Sequence, residues 1–273
     1  MAAGDFTKCF SLAATTLPFL GREAELARVE RALRERESLL VWGLADSGKS
    51  ELVCRAIERL PRRDVGWCVR AVGNGSPQEI LRSIAKGFHR DRLFQSKFHA
   101  EAGDGRTFAE WVDGQTSLRL RGLIYRAARD GPYRIVLEDL SPMSRTMARI
   151  AKELIWNQAT PVYAVARGWT YAEVGHAAQL YWNERLRLAV GGLPTASATE
   201  LLEYAIRRNG LQRFDLTGFR EDILEFSEMR PGAILKMCEA AAESRYHFEG
   251  RIKTRLLHVD YLVKYCRRGT QHE

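Results

Sequence analysis

The sequence is poor in the features that mark secreted, membrane-spanning or metal-knuckle proteins. It holds five cysteines (Cys9, Cys54, Cys68, Cys238 and Cys266), an odd number with no C-x-x-C pair. That argues against a disulfide framework or a cysteine metal site and fits reduced thiols in the cytoplasm. No apolar run is long enough to span a bilayer, so no membrane partner is expected. The stretch Met1 to Leu20 is fairly apolar, but Asp5 and Lys8 interrupt it and it lacks the basic start of a secretory signal; residues 1–17 read as a short arm. The histidines are scattered and suggest neither a metal cluster nor a triad, and no serine has a G-x-S-x-G setting. No internal repeat or low-complexity segment occurs. Positive charge is what the chain has in excess, with 42 Lys and Arg against 34 Asp and Glu, a net charge of +8. That balance suits a polyanionic partner such as DNA, and equally suits solubility alone.

One stretch organises the rest. Val41-Trp42-Gly43-Leu44-Ala45-Asp46-Ser47-Gly48-Lys49-Ser50 reads as a strand end, a glycine-bounded loop and a helix start. Gly43, Gly48, Lys49 and Ser50 complete G-x-x-x-x-G-K-S, a loop that turns successive backbone N–H groups toward a phosphate at the positive end of a helix. Lys49 is expected to reach the β- and γ-phosphates, and the Ser50 hydroxyl to meet Mg²⁺. Gly43 to Ser50, with Glu51 in the first helical turn, form the candidate nucleotide site. The context agrees, because Ser38 to Trp42 is an apolar strand and Glu51 to Ile57 has helical periodicity.

Before the loop, Glu23 to Arg36 has one apolar helical face. After it come a strand at Val65 to Val72, a helix from Gln78 to His89 and a polar, irregular stretch over 90–106. Thr107 to Asp130 is helical with a break at Gly114. Strands follow at Tyr133 to Leu140, Pro161 to Arg167 and Leu186 to Val190, the first two separated by a helix that opens at Ser141-Pro142. Alternation of this kind predicts an α/β fold with a parallel sheet covered on both faces. Past Pro194 the pattern is helical only, over Ala198 to Asn209, Leu216 to Glu228, Pro231 to Glu243 and Val259 to Arg267. The expected division is therefore an arm (1–17), an α/β core (18–193) and an all-helical domain (194–273).

Strand ends deliver the remaining candidates. Glu138 and Asp139 close the third strand, where one carboxylate can hold Mg²⁺ through water and the other can polarise an attacking water; otherwise they are two solvated acids. Arg167 ends the fourth strand and either senses a γ-phosphate or pairs with an acid such as Glu138. Arg185 and Arg187 open the fifth and either reach a nucleotide on a neighbouring subunit or are surface arginines. Three basic groups could meet phosphate backbones: Arg82, Lys86, Arg90, Arg92 and Lys97; Arg119, Arg121, Arg126 and Arg129; and Arg251, Lys253, Arg255, Lys264, Arg267 and Arg268. The aromatic set Trp156, Tyr163, Trp169, Tyr171, Tyr181 and Trp182 is expected in packing rather than base stacking.

Pro18-Phe19-Leu20-Gly21-Arg22-Glu23-Ala24-Glu25-Leu26 resembles the box that precedes the phosphate loop in AAA+ ATPases of the origin-recognition type and in STAND signalling ATPases. The resemblance spans about residues 18–268. It implies five strands in the order 5-1-4-3-2 with a helical lid, ATP between them, and Phe19, Leu20, Gly21 and Arg22 near the adenine. Glu138-Asp139 departs from the family's usual Asp-first pair, and Met229-Arg230-Pro231-Gly232 keeps the lid's proline, Pro231, but has glycine where an arginine sensor is usual. The function expected is a Mg-ATP-dependent switch that binds ATP and ADP, hydrolyses slowly and assembles as a homo-oligomer or on a protein partner. An ATP-regulated DNA adaptor is the alternative. A small-molecule kinase is the third reading, and it has no need of the box or the lid.

Overall fold

The computed structural model describes residues 19–88 and 107–266. The expected arm, the irregular 90–106 stretch with Arg90, Arg92 and Lys97, and Arg267 and Arg268 lie outside the described residues. A five-stranded parallel sheet forms the centre. Its strands are β1 (Leu39–Trp42), β2 (Trp67–Val72), β3 (Tyr133–Leu140), β4 (Val162–Ala166) and β5 (Arg187–Ala189), in the spatial order β2-β3-β4-β1-β5. That is the expected order 5-1-4-3-2 read from the other edge.

Side-chain alternation along these strands decides what each face carries. Leu39, Val41, Val136, Tyr163 and Val165 face one way, into an apolar cluster with α1 (Glu23–Glu35) and α2 (Lys49–Arg59). Leu40, Ile135, Leu137, Val162, Ala164 and Ala166 face the other. There they meet α4 (Pro77–Phe88), α5 (Phe108–Asp113), α6 (Ser117–Asp130) and α7 (Arg145–Trp156). A one-turn helix, α3 (Arg62–Val65), fills the expected start of the second strand. Gly66, at φ 65, then re-aims the chain into β2. The break at Gly114 is present, and Thr107 and Thr116 cap the two helices it separates. The helix expected from Ser141-Pro142 is instead capped by Ser144, because Met143 is held in a bridge to Gly175.

After α8 (Tyr171–Val174) and β5, a third apolar cluster gathers α9 (Thr195–Arg208), α10 (Phe219–Phe226), α11 (Pro231–Ala241) and α12 (Thr254–Tyr261). This part is not all helix. Strands β6 (His247–Phe248) and β7 (Arg251–Ile252) form a hairpin around Glu249 and Gly250, both at positive φ. Two-residue strands are too short to leave an alternation in sequence, so only that turn pair marks them. The aromatic expectation divides as well. Tyr163 and Tyr181 are buried, whereas Trp156, Tyr171 and Trp182 are exposed and Trp169 lies under the Arg187 guanidinium.

Arg134 fixes the edge of the sheet from which the strands set out. It is buried at the start of β3 and donates to the Leu33 carbonyl at the end of α1 and to the Asp64 and Val65 carbonyls at the end of α3. Those carbonyls have no helical partner of their own. Replacing Arg134 by Ala strands them in the interior and should destabilise the chain by about 3 kcal/mol. A urea titration followed by circular dichroism checks this, and an unchanged midpoint would contradict the role given to Arg134.

Candidate functional site

Gly43–Ser50 joins the carboxyl end of β1 to α2, inside the sheet where β4 and β5 flank β1. The Gly43 N–H donates to the Ala166 carbonyl at 3.3 Å, and the Val190 N–H donates to the Trp42 carbonyl at 2.8 Å. Gly43 has φ 156 and packs so closely on the Val190 carbonyl that a Cβ would overlap it. Gly48 has φ 87 and starts α2, whose N-terminal dipole end faces the loop. Asp46, at φ 65, is the one loop position where a side chain carries a left-handed conformation. Aspartate tolerates it better than most residues.

Cations converge on this loop. Lys49 Nζ donates to the Gly43 carbonyl at 2.7 Å and the Leu44 carbonyl at 2.6 Å. Burial pushes its pKa down to about 8, with the positive charges of Arg167 and Arg230 acting in the same direction. Arg167 is exposed just past the end of β4. It does not pair with Glu138 among the described contacts; Arg70 does.

Glu138 sits at the carboxyl edge of β3 with its two oxygens differently engaged. The Ser50 hydroxyl donates to Oε2 at 2.6 Å, and Arg70 Nη2 donates to Oε1 at 2.7 Å. A register shift between Leu137 and Leu140 gives β3 an extra residue against β4 here. Asp139 occupies that bulge at φ 50 and accepts from the Asn74 side-chain amide at 2.7 Å. Ser50 and Glu138 thus bring two hard oxygens together, a donor set that fits Mg²⁺.

The helical segment closes over the loop from the other side. Arg230 Nη1 donates to the Ala45 carbonyl at 2.9 Å, and the Gly232 N–H to the Asp46 carbonyl at 2.9 Å. Lys236 Nζ lies 2.7 Å from Asp46 Oδ1, and the Tyr261 hydroxyl donates to Oδ2 at 2.8 Å. Pro231 opens α11 against Gly48, where an added Cβ would lie 3.3 Å from its Cγ. Glu228 and Met229, consecutive non-glycine residues at φ 51 and 55, form the turn that delivers Arg230. The Met229 carbonyl accepts from the Leu193 N–H at 2.9 Å, which locks that turn to the end of the sheet.

Arg22 ties the preceding box to the same place. It is buried and donates to the Ser47 carbonyl at 3.2 Å and to the Gly191 carbonyl, while pairing with Glu25 at 2.8 Å. Phe19 packs on the α1–α2 cluster and Leu20 on the helical one, so the box straddles both. Gly21 has φ 62, and a Cβ there would collide with Ser197.

Two candidates stand apart. Glu51 lies on the surface of α2, paired with Arg55 at 2.8 Å. Arg185 is exposed before β5. Arg187 registers with Leu40, and Ala189 with Trp42 at the loop end, so Arg185 lies at the opposite edge of the sheet from its own loop. Several cations of the basic groups are engaged within the chain. Lys86 pairs with Asp113 at 2.8 Å, Arg251 with Asp215 at 3.0 Å, and Arg119 lies 5.5 Å over the Trp111 ring. The sequence reading missed Arg70, Asn74, Lys236 and Tyr261. For Arg70 a signal existed: Val69 and Ala71 belong to one face, which leaves Cys68 and Arg70 on the α2 face.

A family model described as AAA ATPase domain matches residues 18–159, just over half of the chain. Among solved structures, a Walker-type ATPase of Pyrococcus abyssi superposes with a TM-score of 0.56 at 16% identity, covering 91% of this chain and 76% of that one. Cdc6p from Pyrobaculum aerophilum gives 0.55 at 12% identity, covering 84% of this chain and 63% of that one. At such identities the likeness is one of fold. No curated protein sequence matches.

Lys49 makes the site pH-sensitive in a defined direction. Its pKa of about 8 means the ammonium is lost as pH rises through that value, and a bound polyphosphate would hold the proton on. Triphosphate affinity should therefore be flat below pH 7 and fall about tenfold by pH 9, with proton uptake on binding. Calorimetry in buffers of different ionisation enthalpy measures both quantities. Lys49→Arg, which stays charged, should flatten the profile, and an unaltered slope would contradict the assignment.

Proposed function

This chain belongs to the AAA ATPase domain family, and from that premise we propose that it is a Mg-ATP-dependent switch with slow turnover. In this reading Gly43 to Ser50 hold the triphosphate, and the helical segment from Thr195 onward reports whether they do. The observation that carries it is the clasp on Asp46. Both carboxylate oxygens and the carbonyl of one loop residue are held by α11 and α12. A phosphate drawn into the loop must act on the backbone that α11 and α12 grip, so loop and helices cannot respond independently.

The other side chains take consistent parts. Lys49 and Arg167 supply positive charge for the β- and γ-phosphates, and Arg230 adds to the same field. Ser50 and Glu138 would hold Mg²⁺, which when bound neutralises phosphate oxygens. Asp139, steadied by Asn74, would orient the attacking water. Slow turnover accords with a Glu138 already paired to Arg70 and with an exposed Asp139. Phe19 to Arg22, which lie at the seam between the α1–α2 cluster and the helical one, would border the adenine. Arg185 lies at the opposite edge of the sheet from its own loop, so in ATP-dependent assembly it would meet the nucleotide of another copy. The alternative, assembly on DNA, has the net charge of +8 for support; retention of duplex DNA that needs ATP and falls steeply with salt is its test.

Lys49→Ala should lose about 2–3 kcal/mol of triphosphate affinity, roughly a hundredfold. Unchanged affinity would remove nucleotide binding as the function. Lys236→Met combined with Tyr261→Phe, which releases the Asp46 carboxylate from the helices without altering the loop, should keep nucleotide binding while uncoupling the helices. Hydrogen exchange over Thr254–Tyr261 should respond to ATP in the unaltered chain and cease to respond in the variant. Equal responses in both would show that the clasp is not the path of the switch.

A further inference from the structure

The pairing of Arg70 with Glu138 is unexpected on chemical grounds, because it puts a permanent cation on the carboxylate that, in the nucleotide reading, faces magnesium. We propose that Arg70 is a built-in competitor of the divalent cation, one that raises the Mg²⁺ concentration nucleotide binding requires. The inference rests on the nucleotide reading above and names how its metal dependence is set.

Three observations carry it. First, strand alternation leaves Arg70 no other direction. Its neighbours Val69 and Ala71 are buried in the cluster on one face, so Arg70 projects toward α2, where Nη1 meets Cys54 Sγ at 3.2 Å. Secondly, that sulfur is a neutral thiol, since burial pushes the Cys54 pKa up to about 12. It can steer the guanidinium without neutralising it. Thirdly, the Glu138 carboxylate is divided: Oε1 goes to Arg70 at 2.7 Å, and Oε2 goes to the Ser50 hydroxyl at 2.6 Å. The side chains of Arg70 and Glu138 are 24% and 18% exposed, so water screens the pair only partly.

The charge arithmetic follows. A carboxylate and a guanidinium in contact sum to zero, so the position beside Ser50 offers hydroxyl and carboxylate oxygens but little net negative charge. Mg²⁺ gives up its water reluctantly and is ordinarily captured by carboxylates together with substrate phosphates. With one carboxylate half-used by Arg70, the phosphates must supply the missing charge. Arg70 is a positioning residue in this scheme. It acts through Glu138 and touches no reacting atom.

The test uses the full chain and a fluorescent ATP analogue, with affinity followed by anisotropy as Mg²⁺ is raised from zero. Arg70→Gln keeps a hydrogen-bond donor but removes the charge, and Arg70→Lys keeps the charge. The Mg²⁺ midpoint should fall by about tenfold in Arg70→Gln and stay near the unaltered value in Arg70→Lys. An unchanged midpoint in Arg70→Gln, or equal shifts in both variants, overturns the proposal. Should Arg70→Gln fail to fold, Arg70→Met, an uncharged side chain of similar length, takes its place, with a lowered Mg²⁺ midpoint supporting the proposal and an unchanged one overturning it. If the unaltered chain binds no nucleotide at any Mg²⁺ concentration, the nucleotide reading itself fails and takes this inference with it. That outcome is recognised before any variant is made.

Discussion

The constraint on which the structure turns is steric: the backbone from Gly43 to Gly48 must pass between the Val190 carbonyl on one side and Pro231-Gly232 on the other. The passage is possible because Gly43 and Gly48 lack side chains and because Asp46 accepts a left-handed conformation. A residue in that conformation is strained unless its surroundings hold it. Here they do, through a carbonyl bonded to Gly232 and a carboxylate bonded to Lys236 and Tyr261. Loop shape and helix position are therefore one variable. The β-sheet, Arg22 and the helical segment each fix one side of it.

Charge is distributed to match. Positive side chains gather at the carboxyl edge of the sheet, where Arg167 and Arg230 act on Lys49 strongly enough to reinforce the effect of its burial. The acids nearby are each committed: Asp46 to the helices, Glu138 to Ser50 and Arg70, Asp139 to Asn74. The loop thus faces a field that favours an anion. At the opposite edge Arg134 does different work, using one buried guanidinium to join the ends of α1 and α3 to β3. Arginine suits both tasks because its several donors are held in a fixed fork.

Much of the fold was legible in the sequence because strands in a covered parallel sheet leave strong local marks. Tyr133–Leu140 was found to the residue, being a long apolar run stopped by Gly131-Pro132 before it and two acids at its end. The loop was legible because phosphate cradling needs specific residue types at fixed spacing. Less legible were features that depend on side chains meeting across long sequence separations. Arg70 and Glu138 are 68 residues apart, and nothing local marks the arginine on β2 except strand parity. The hairpin at Glu249-Gly250 left two residues per strand, too few for a periodic signal. Ser141 was a plausible helix cap on composition and lost that place to Ser144 because Met143 bridges to Gly175. In each case tertiary geometry outweighed local preference.

The Tyr261 hydroxyl that holds Asp46 comes 215 residues after it along the chain. A chain emerging from a ribosome therefore completes its loop early but lacks the grip on it until nearly the last described helix has been made. Contacts of such separation are slow to form, because so much chain must be ordered before they repay the entropy of closure. During that interval the sheet can assemble around β1 with the loop exposed, and α12 follows the strands as one of the pieces that hold Asp46. The order of synthesis thus builds the cradle first and its latch afterwards. A nucleotide present during synthesis would meet an open loop, one without the helices that bear on it in the finished molecule.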